Sequence, residues 1–326
     1  MSRGRSTVRH SQGETSPLHR KSNDTRIVVI GAAGFVGSSL CRALEGDEVS
    51  LVRISRSDNT VPTLEVRDDL ALAGAINPGA TVINLAYMWN AGEQANRAIS
   101  RSVASACSRA GAARLIHCST AAVAGRAETV WIDEDVECRP ITEYGKTKLA
   151  MESDCRECTS DVVILRPTSI FGPGGHALAK LSGQIAGGSR VTDTMRRIAF
   201  GLRAMNLVSL ENTIAAIRFA IDHPGTFGGR AFYVSDDDAD GNDFETVHGI
   251  LAREIRGTPT TRPPVCAPPW MLGVALRVLR RNCVNPMARY SGKRILDMGC
   301  PRPRNFLDAV RDYGRWYAQA IRQSQA

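Results

Sequence analysis

The stretch Arg26–Leu44, RIVVIGAAGFVGSSLCRAL, decides the fold. The run IVVI reads as a buried strand that stops at Gly31, and a helix opens a few residues later. Gly31, Gly34 and Gly37 lie between and within these elements at GxxGxxG spacing. The first glycine permits a tight turn, the second lets the backbone approach a pyrophosphate, and the third allows close helix–strand packing. The free N–H groups of the helix start then face the phosphates. Strand before and helix after make the motif informative, and it predicts dinucleotide binding.

Outward from this unit, strands and helices alternate regularly. EVSLVRI is a second strand and TVINLAY, Thr81–Tyr87, another. A helix follows from about Gln94 to Ala110, then the strand ARLIHCST, the helical TEYGKTKLAMESDC, and the strand DVVILRPTSIFGPGG. The strands are continuous apolar runs, as expected where both sheet faces are covered. The pattern predicts an α/β fold, a Rossmann-type doubly wound parallel sheet, with a smaller α/β substrate domain. The predicted division is a disordered basic tail over 1–25 and a dinucleotide-binding domain over 26–170, to which 205–224 returns. The smaller domain takes 171–204 and 225–326. In that part SLENTIAAIRFAIDHP reads as a helix, RAFYVSDDD as a short strand, and DFETVHGILAREI as an amphipathic helix.

Composition narrows the class. At 326 residues, 43% hydrophobic and 23% charged, the chain has the balance of an ordinary globular protein. The net charge is +8, of which residues 1–26 carry +4. The rest is too dispersed to suggest nucleic acid. No apolar run is long enough to span a membrane. Trp270–Leu279 reads as an amphipathic helix packed on the protein, with a membrane-surface helix as the alternative. The tail lacks the apolar core of a secretory signal, and a cytoplasmic protein with reduced thiols is expected. Cys155 and Cys158 have CxxC spacing but no second pair, so no metal site is expected.

Tyr144 and Lys148 form YxxxK in a predicted helix, which puts both on one face. An ammonium group beside a phenol lowers its pKa, and such a phenol can exchange a proton with a substrate oxygen. The strand end HCSTAAVAG, His117–Gly125, offers Ser119 and Thr120 as hydroxyl donors. Arg53 ends the second strand, with Arg56 nearby, where an acid would hold an NAD ribose. An arginine there pairs with a 2′-phosphate and favours NADP over NAD.

Five ordered motifs then carry a resemblance over roughly residues 26–320: GAAGFVG, INLAY, STAAVAG, YGKTK and LRPTSIFGPG, with NFLDAVRDYGRWY near the end. The chain resembles the extended short-chain dehydrogenase/reductases of the NAD-dependent epimerase/dehydratase family. The resemblance implies that Gly31, Gly34 and Gly37, with Ala32, Ala33, Phe35 and Val36, hold the pyrophosphate. Glu65 and Val66 would contact adenine, Leu85 and Ala86 would line the ribose, Lys148 would bond the nicotinamide ribose, and Pro167 and Thr168 would flank the nicotinamide. Counting back from Val123 makes Thr120 the catalytic hydroxyl, with Tyr144 and Lys148, and leaves Ser119 structural or a cofactor contact.

Departures from the family pattern bear on the reaction. Ala121-Ala122 stands where dehydratases carry Asp-Glu, so water elimination is not expected. Ala124 replaces the usual Tyr and Ser169 the usual Asn, which points to an altered substrate pocket. Arg190, Arg196, Arg197 and Arg203 are candidates to meet a substrate diphosphate, with Arg203, Ser169 and Thr120 as substrate residues. The expected activity is an NAD(P)-dependent 4-ketoreductase or 4-epimerase of a nucleotide-activated sugar, of the kind used in surface polysaccharide synthesis, acting as a homodimer. The alternatives are a hydroxysteroid- or flavonol-type dehydrogenase and a non-catalytic dinucleotide-binding regulator.

Overall fold

A computed structural model describes residues 26–55, 68–126, 129–257, 265–268, 270–271 and 285–325. Arg56, Glu65, Val66, the basic tail and most of Trp270–Leu279 lie outside the described residues. Six parallel strands form the main sheet: β1 (Arg26–Ile30), β2 (Ser50–Ile54), β3 (Thr81–Asn84), β4 (Arg114–Cys118), β6 (Asp161–Pro167) and β9 (Ala231–Val234). Their spatial order is β2-β1-β3-β4-β6-β9. The chain reverses its direction of travel across the sheet between β1 and β3. Open α/β sheets bind ligands at such a switch point, outside the carboxyl ends of the strands.

Alternate residues of each strand enter opposite layers. Ile27 and Val29 pack with Leu40, Cys41 and Leu44 of α1 (Phe35–Leu44) and with Ala216, Ile217 and Ala220 of α7 (Leu210–Asp222). Val28 and Ile30 pack with Leu72 of α2 (Asp69–Ala75), Ile99, Val103 and Cys107 of α3 (Glu93–Ala110) and Cys155 of α4 (Glu143–Arg156). Each fully buried branched side chain contributes roughly 1.5–3 kcal/mol. This two-sided burial is why the strands read as continuous apolar runs. Local signals set the helix ends: Asp68 accepts from Leu70 N and Ala71 N, each at 3.0 Å, and Gly111 closes α3 in the left-handed region at φ 66°.

A smaller layer stands beyond the sheet. It contains α5 (Ala179–Gly187), α6 (Arg190–Phe200), α8 (Phe244–Arg256) and the closing helix Phe306–Gln325, packed through Leu181, Ile185, Val247, Leu251, Val310 and Tyr313. Two short parallel ladders flank it: β5 (Trp131–Ile132) with β10 (Arg289–Tyr290), and β7 (Ser169–Phe171) with β8 (Leu207–Ser209). The expected boundary at residue 225 needs correction. β9 pairs with β6, from Ile164 opposite Ala231 to Pro167 opposite Val234. Phe232, Val234 and Ile295 of the short helix Lys293–Asp297 join the core beneath β1. Residues after 225 thus complete the main sheet as well as the smaller layer.

Candidate functional site

The glycine turn has the geometry that a pyrophosphate needs. Gly31 sits at φ 88°, and a Cβ there would stand 3.1 Å from Ala86 N and Leu85 C. Leu85 and Ala86 are thereby brought against the turn. A Cβ on Gly37 would lie 2.1 Å from Gly31 O, so only glycine lets α1 start this close to β1. Gly34 caps α1 without a side-chain hydrogen bond, and Ala33 and Gly34 are exposed. The helix start is therefore open to an anion. The Phe35 ring closes one flank, so near Gly175 that a Cβ on that glycine would lie 2.6 Å away. At the carboxyl edge of the sheet, the buried Nδ2 of Asn84 and Oγ1 of Thr168 find no partner among the described residues. Both stand at carboxyl ends of sheet strands, as expected of groups that complete their hydrogen bonds with a ligand. The residues present fit a dinucleotide.

Thr120, Tyr144 and Lys148 come together at the ends of β4 and α4. Thr142 caps α4 by accepting from Gly145 N at 3.0 Å, which fixes the helix start one residue before Tyr144. Gly145 lets α4 approach the strand-end loop, since a Cβ there would lie 2.8 Å from Ala122 O. The half-buried Thr120 has extended backbone, starts the short 3-10 turn Ala121–Val123, and accepts from Ala122 N at 3.2 Å. Its hydroxyl interacts with the Tyr144 phenol. Lys148 is buried, and its Nζ donates to Cys118 O at 2.8 Å and lies 5.1 Å from the Tyr87 ring centroid.

The Tyr144 pKa is raised, not lowered as the YxxxK spacing predicts. Burial pushes the phenol well above its ordinary value, the neighbouring Cys118 and Tyr87 add to this, and Thr120 pulls the other way. Burial also draws the Lys148 pKa down. The Lys148 ammonium is directed to the Cys118 carbonyl, so in the protein alone desolvation of the phenolate outweighs any cationic help. His117, buried just beneath, is held neutral by burial and by the charges of Lys148 and Arg156.

Ser119 points the opposite way from Thr120. Its Oγ donates to Glu152 Oε1 at 2.6 Å in the interior. Glu152 also accepts from Arg166 Nε at 2.9 Å and Nη2 at 2.7 Å, and from the half-exposed Arg156 at 3.4 Å. Ser119 N donates to Leu165 O at 2.7 Å, which prolongs the β4–β6 ladder to the residue before Thr120. Tyr144, Lys148 and Glu152 are spaced four apart along α4, so the buried pair anchors the helix face carrying the first two. The sequence reading passed over Glu152 and Arg166, although that spacing was visible.

Other predicted contacts are distributed unevenly. Pro167 and Thr168 are buried at the end of β6, and Ser169 is exposed with its N–H on Asn206 O at 2.8 Å. Arg190 and Arg203 are exposed. Arg197 must leave the set of diphosphate candidates: it is buried and doubly bonded to Glu245, with Nε to Oε2 at 2.9 Å. Arg196 pairs with Asp193 at 3.5 Å. Ala124 likewise does not line a pocket; it is fully buried among Ile132, Tyr233, Ala288 and Tyr290. Arg53 forms a surface ion pair with Glu45. Trp89, also missed, stacks on Tyr144 with centroids 5.0 Å apart and planes at 20°. Among the described residues no helix is long and apolar enough to cross a membrane.

A dinucleotide-type turn at the switch point, joined to a Tyr-Lys helix and a strand-end hydroxyl, defines a Rossmann-fold protein of the short-chain dehydrogenase type. The model of the NAD dependent epimerase/dehydratase family matches residues 27–234, and the chain belongs to that family. It is similar to a UDP-glucose 4-epimerase of Azospirillum brasilense, 33% identical over 158 residues, which are 40% of this chain and 44% of that protein. The chain thus spans less than half the length of that relative. It is also similar to a 2-alkyl-3-oxoalkanoate reductase of Stenotrophomonas maltophilia, 26% identical across 64% of this chain and 70% of that one. Among solved structures, the Bordetella bronchiseptica enzyme WbmG in complex with NAD shares the fold, with a TM-score of 0.71, 21% identity, and coverage of 93% of this chain and 96% of that one.

Proposed function

We propose that the chain is an NAD(P)-dependent enzyme that exchanges hydride at C4 of a nucleotide-activated sugar, as a 4-epimerase or a 4-ketoreductase, in the assembly of a surface polysaccharide. The observation that carries this reading is the meeting of Thr120, Tyr144 and Lys148 at the carboxyl edge of the same sheet whose β1 ends in the open glycine turn. A bound nicotinamide dinucleotide supplies or accepts the hydride. The protein's own groups handle the proton and the geometry. Thr120 Oγ1 and Tyr144 Oη converge on the sugar oxygen. The phenol, which burial favours in its protonated form, gives its proton to that oxygen in the reducing direction and becomes the phenolate; the oxidising direction starts from that phenolate, which takes the proton of the sugar hydroxyl. Lys148, whose Nζ donates to the Cys118 carbonyl, takes the role of bonding the nicotinamide ribose in this reading. Ala121-Ala122 leaves no carboxyl pair next to Thr120, which speaks against a dehydratase.

The reading keeps NADP ahead of NAD. The Arg53–Glu45 pair is exposed, and such pairs contribute only about 0–1 kcal/mol, so a 2′-phosphate dianion can displace the carboxylate. Dimerisation through α3 and α4 completes the proposal. The test incubates the protein with NADPH or NADH and a UDP-4-keto-hexose, and separately with UDP-glucose and NAD. Cofactor oxidation in the first identifies the reductase, and formation of UDP-galactose without net cofactor change in the second identifies the epimerase. Tight cofactor binding without turnover of either sugar overturns the proposal.

A further inference from the structure

We propose that Trp89 is the substrate-side wall of this site and takes the C–H face of a pyranose ring. The inference rests on the nucleotide-sugar reading and names the residue that meets the sugar. Trp89 is 75% exposed, the most exposed large apolar side chain among the described residues. A lone exposed apolar residue needs no explanation, but this one is held in place. The amide of Asn96, fully buried, is spent on the loop that carries it. Its Oδ1 accepts from Met88 N at 2.8 Å, and its Nδ2 donates to Met88 O at 3.1 Å and to Ala91 O and Gly92 O, each at 3.2 Å.

The loop brings the indole onto the catalytic tyrosine. Trp89 stacks on the Tyr144 ring, and Tyr87 meets both edge-on, all three centroid distances being 5.0 Å. One part of the indole is thus used to hold Tyr144, and the remaining surface is open to solvent. A substrate whose oxygen reaches Tyr144 Oη comes to the ring on which Trp89 is stacked. The negative face of an indole attracts positively polarised hydrogens. A pyranose presents such C–H groups on one side while its hydroxyls stay hydrated on the other. Preorganisation of the ring by Asn96 lowers the ordering cost of binding.

The test uses the full chain, with Trp89→Ala and Trp89→Phe, the Phe variant keeping a ring on Tyr144. UDP-glucose, UDP alone and the dinucleotide are titrated against indole fluorescence. The Trp89 signal is the difference between wild type and Trp89→Phe. UDP-glucose is expected to change that difference signal and UDP alone to leave it unchanged. Trp89→Ala is expected to raise KM for the UDP-sugar about tenfold, the worth of roughly one aromatic contact, while kcat falls less than KM rises. Trp89→Phe recovers most of the loss. Equal responses to UDP and UDP-glucose, or an unchanged KM in Trp89→Ala, overturn the inference while wild-type turnover leaves the nucleotide-sugar reading standing. Failure of wild type to bind or turn over any UDP-sugar overturns both.

Discussion

Removing the Glu152 carboxylate, as in Glu152→Gln, strips a buried guanidinium of its counter-charge. Both side chains are inaccessible, at 0% for Glu152 and 6% for Arg166. The bidentate contacts of 2.9 and 2.7 Å and the 2.6 Å bond from Ser119 all end on one carboxylate. Breaking a buried pair from one side costs about 3–5 kcal/mol, against a total stability of about 5–15 kcal/mol. Arg166→Met should cost nearer the lower bound, because Glu152 keeps Ser119 and the half-exposed Arg156 at 3.4 Å. In Glu152→Met with Arg166→Met no buried charge is left unpaired; the Ser119 hydroxyl loses its acceptor, at about 1–3 kcal/mol, and the half-exposed Arg156 loses its 3.4 Å contact but keeps Gly229 O. The double variant should therefore be more stable than either single one, or no worse than Arg166→Met alone. Urea unfolding of the four proteins, followed by far-ultraviolet circular dichroism, gives these differences. Singles within about 1 kcal/mol of wild type, or a double variant that sums both losses, would refute the claim that this pair anchors the strand-end loop to α4.

The remaining expectations address the site more directly. Tyr144→Phe should remove most turnover, and Thr120→Val should cost far more activity than Ser119→Ala, measured as kcat/KM; the reverse order for the last two contradicts the opposite aims of Ser119 and Thr120. Burial raises the Tyr144 pKa, which favours the protonated form, so the tyrosinate absorbance lost in Tyr144→Phe should appear only above the ordinary value of about 10. A midpoint near neutrality means that Lys148 dominates after all. Gly37→Ala forces a Cβ to 2.1 Å from Gly31 O and should weaken dinucleotide binding at least about tenfold in a fluorescence titration; unaltered affinity removes the need for close packing there. Arg53→Ala should lower affinity for NADP more than for NAD, and equal losses contradict a 2′-phosphate role.

Local features were legible in the sequence, and distant pairings were not. The glycine turn and YxxxK are defined by spacing within a few residues, and the structure places each where strand and helix periods predict. The apolar runs of β1, β3, β4 and β6 announced a sheet covered on both faces. The strand in RAFYVSDDD was legible, but its place in the main sheet was not, because that depends on pairing with β6, some 67 residues earlier. Glu152 and Arg166 read as ordinary charges until the register of β4 against β6 brings Ser119 beside them. Arg197 failed as a diphosphate candidate for the same reason, since Glu245 lies on another helix. Ala124 looked like a change of pocket, yet the turn of the loop points its methyl into a packed cluster with Tyr233 and Tyr290.

The central claim is that hydride passes to C4 of a nucleotide-bound sugar while Tyr144 supplies the proton. Its most direct measurement reduces a UDP-4-keto-hexose with NADPH carrying deuterium at both positions of nicotinamide C4 and locates the label in the product by mass spectrometry and proton NMR. The account predicts deuterium at sugar C4 with wild type and almost no product with Tyr144→Phe. Product labelled at another carbon, unlabelled product, or full turnover by Tyr144→Phe would contradict it.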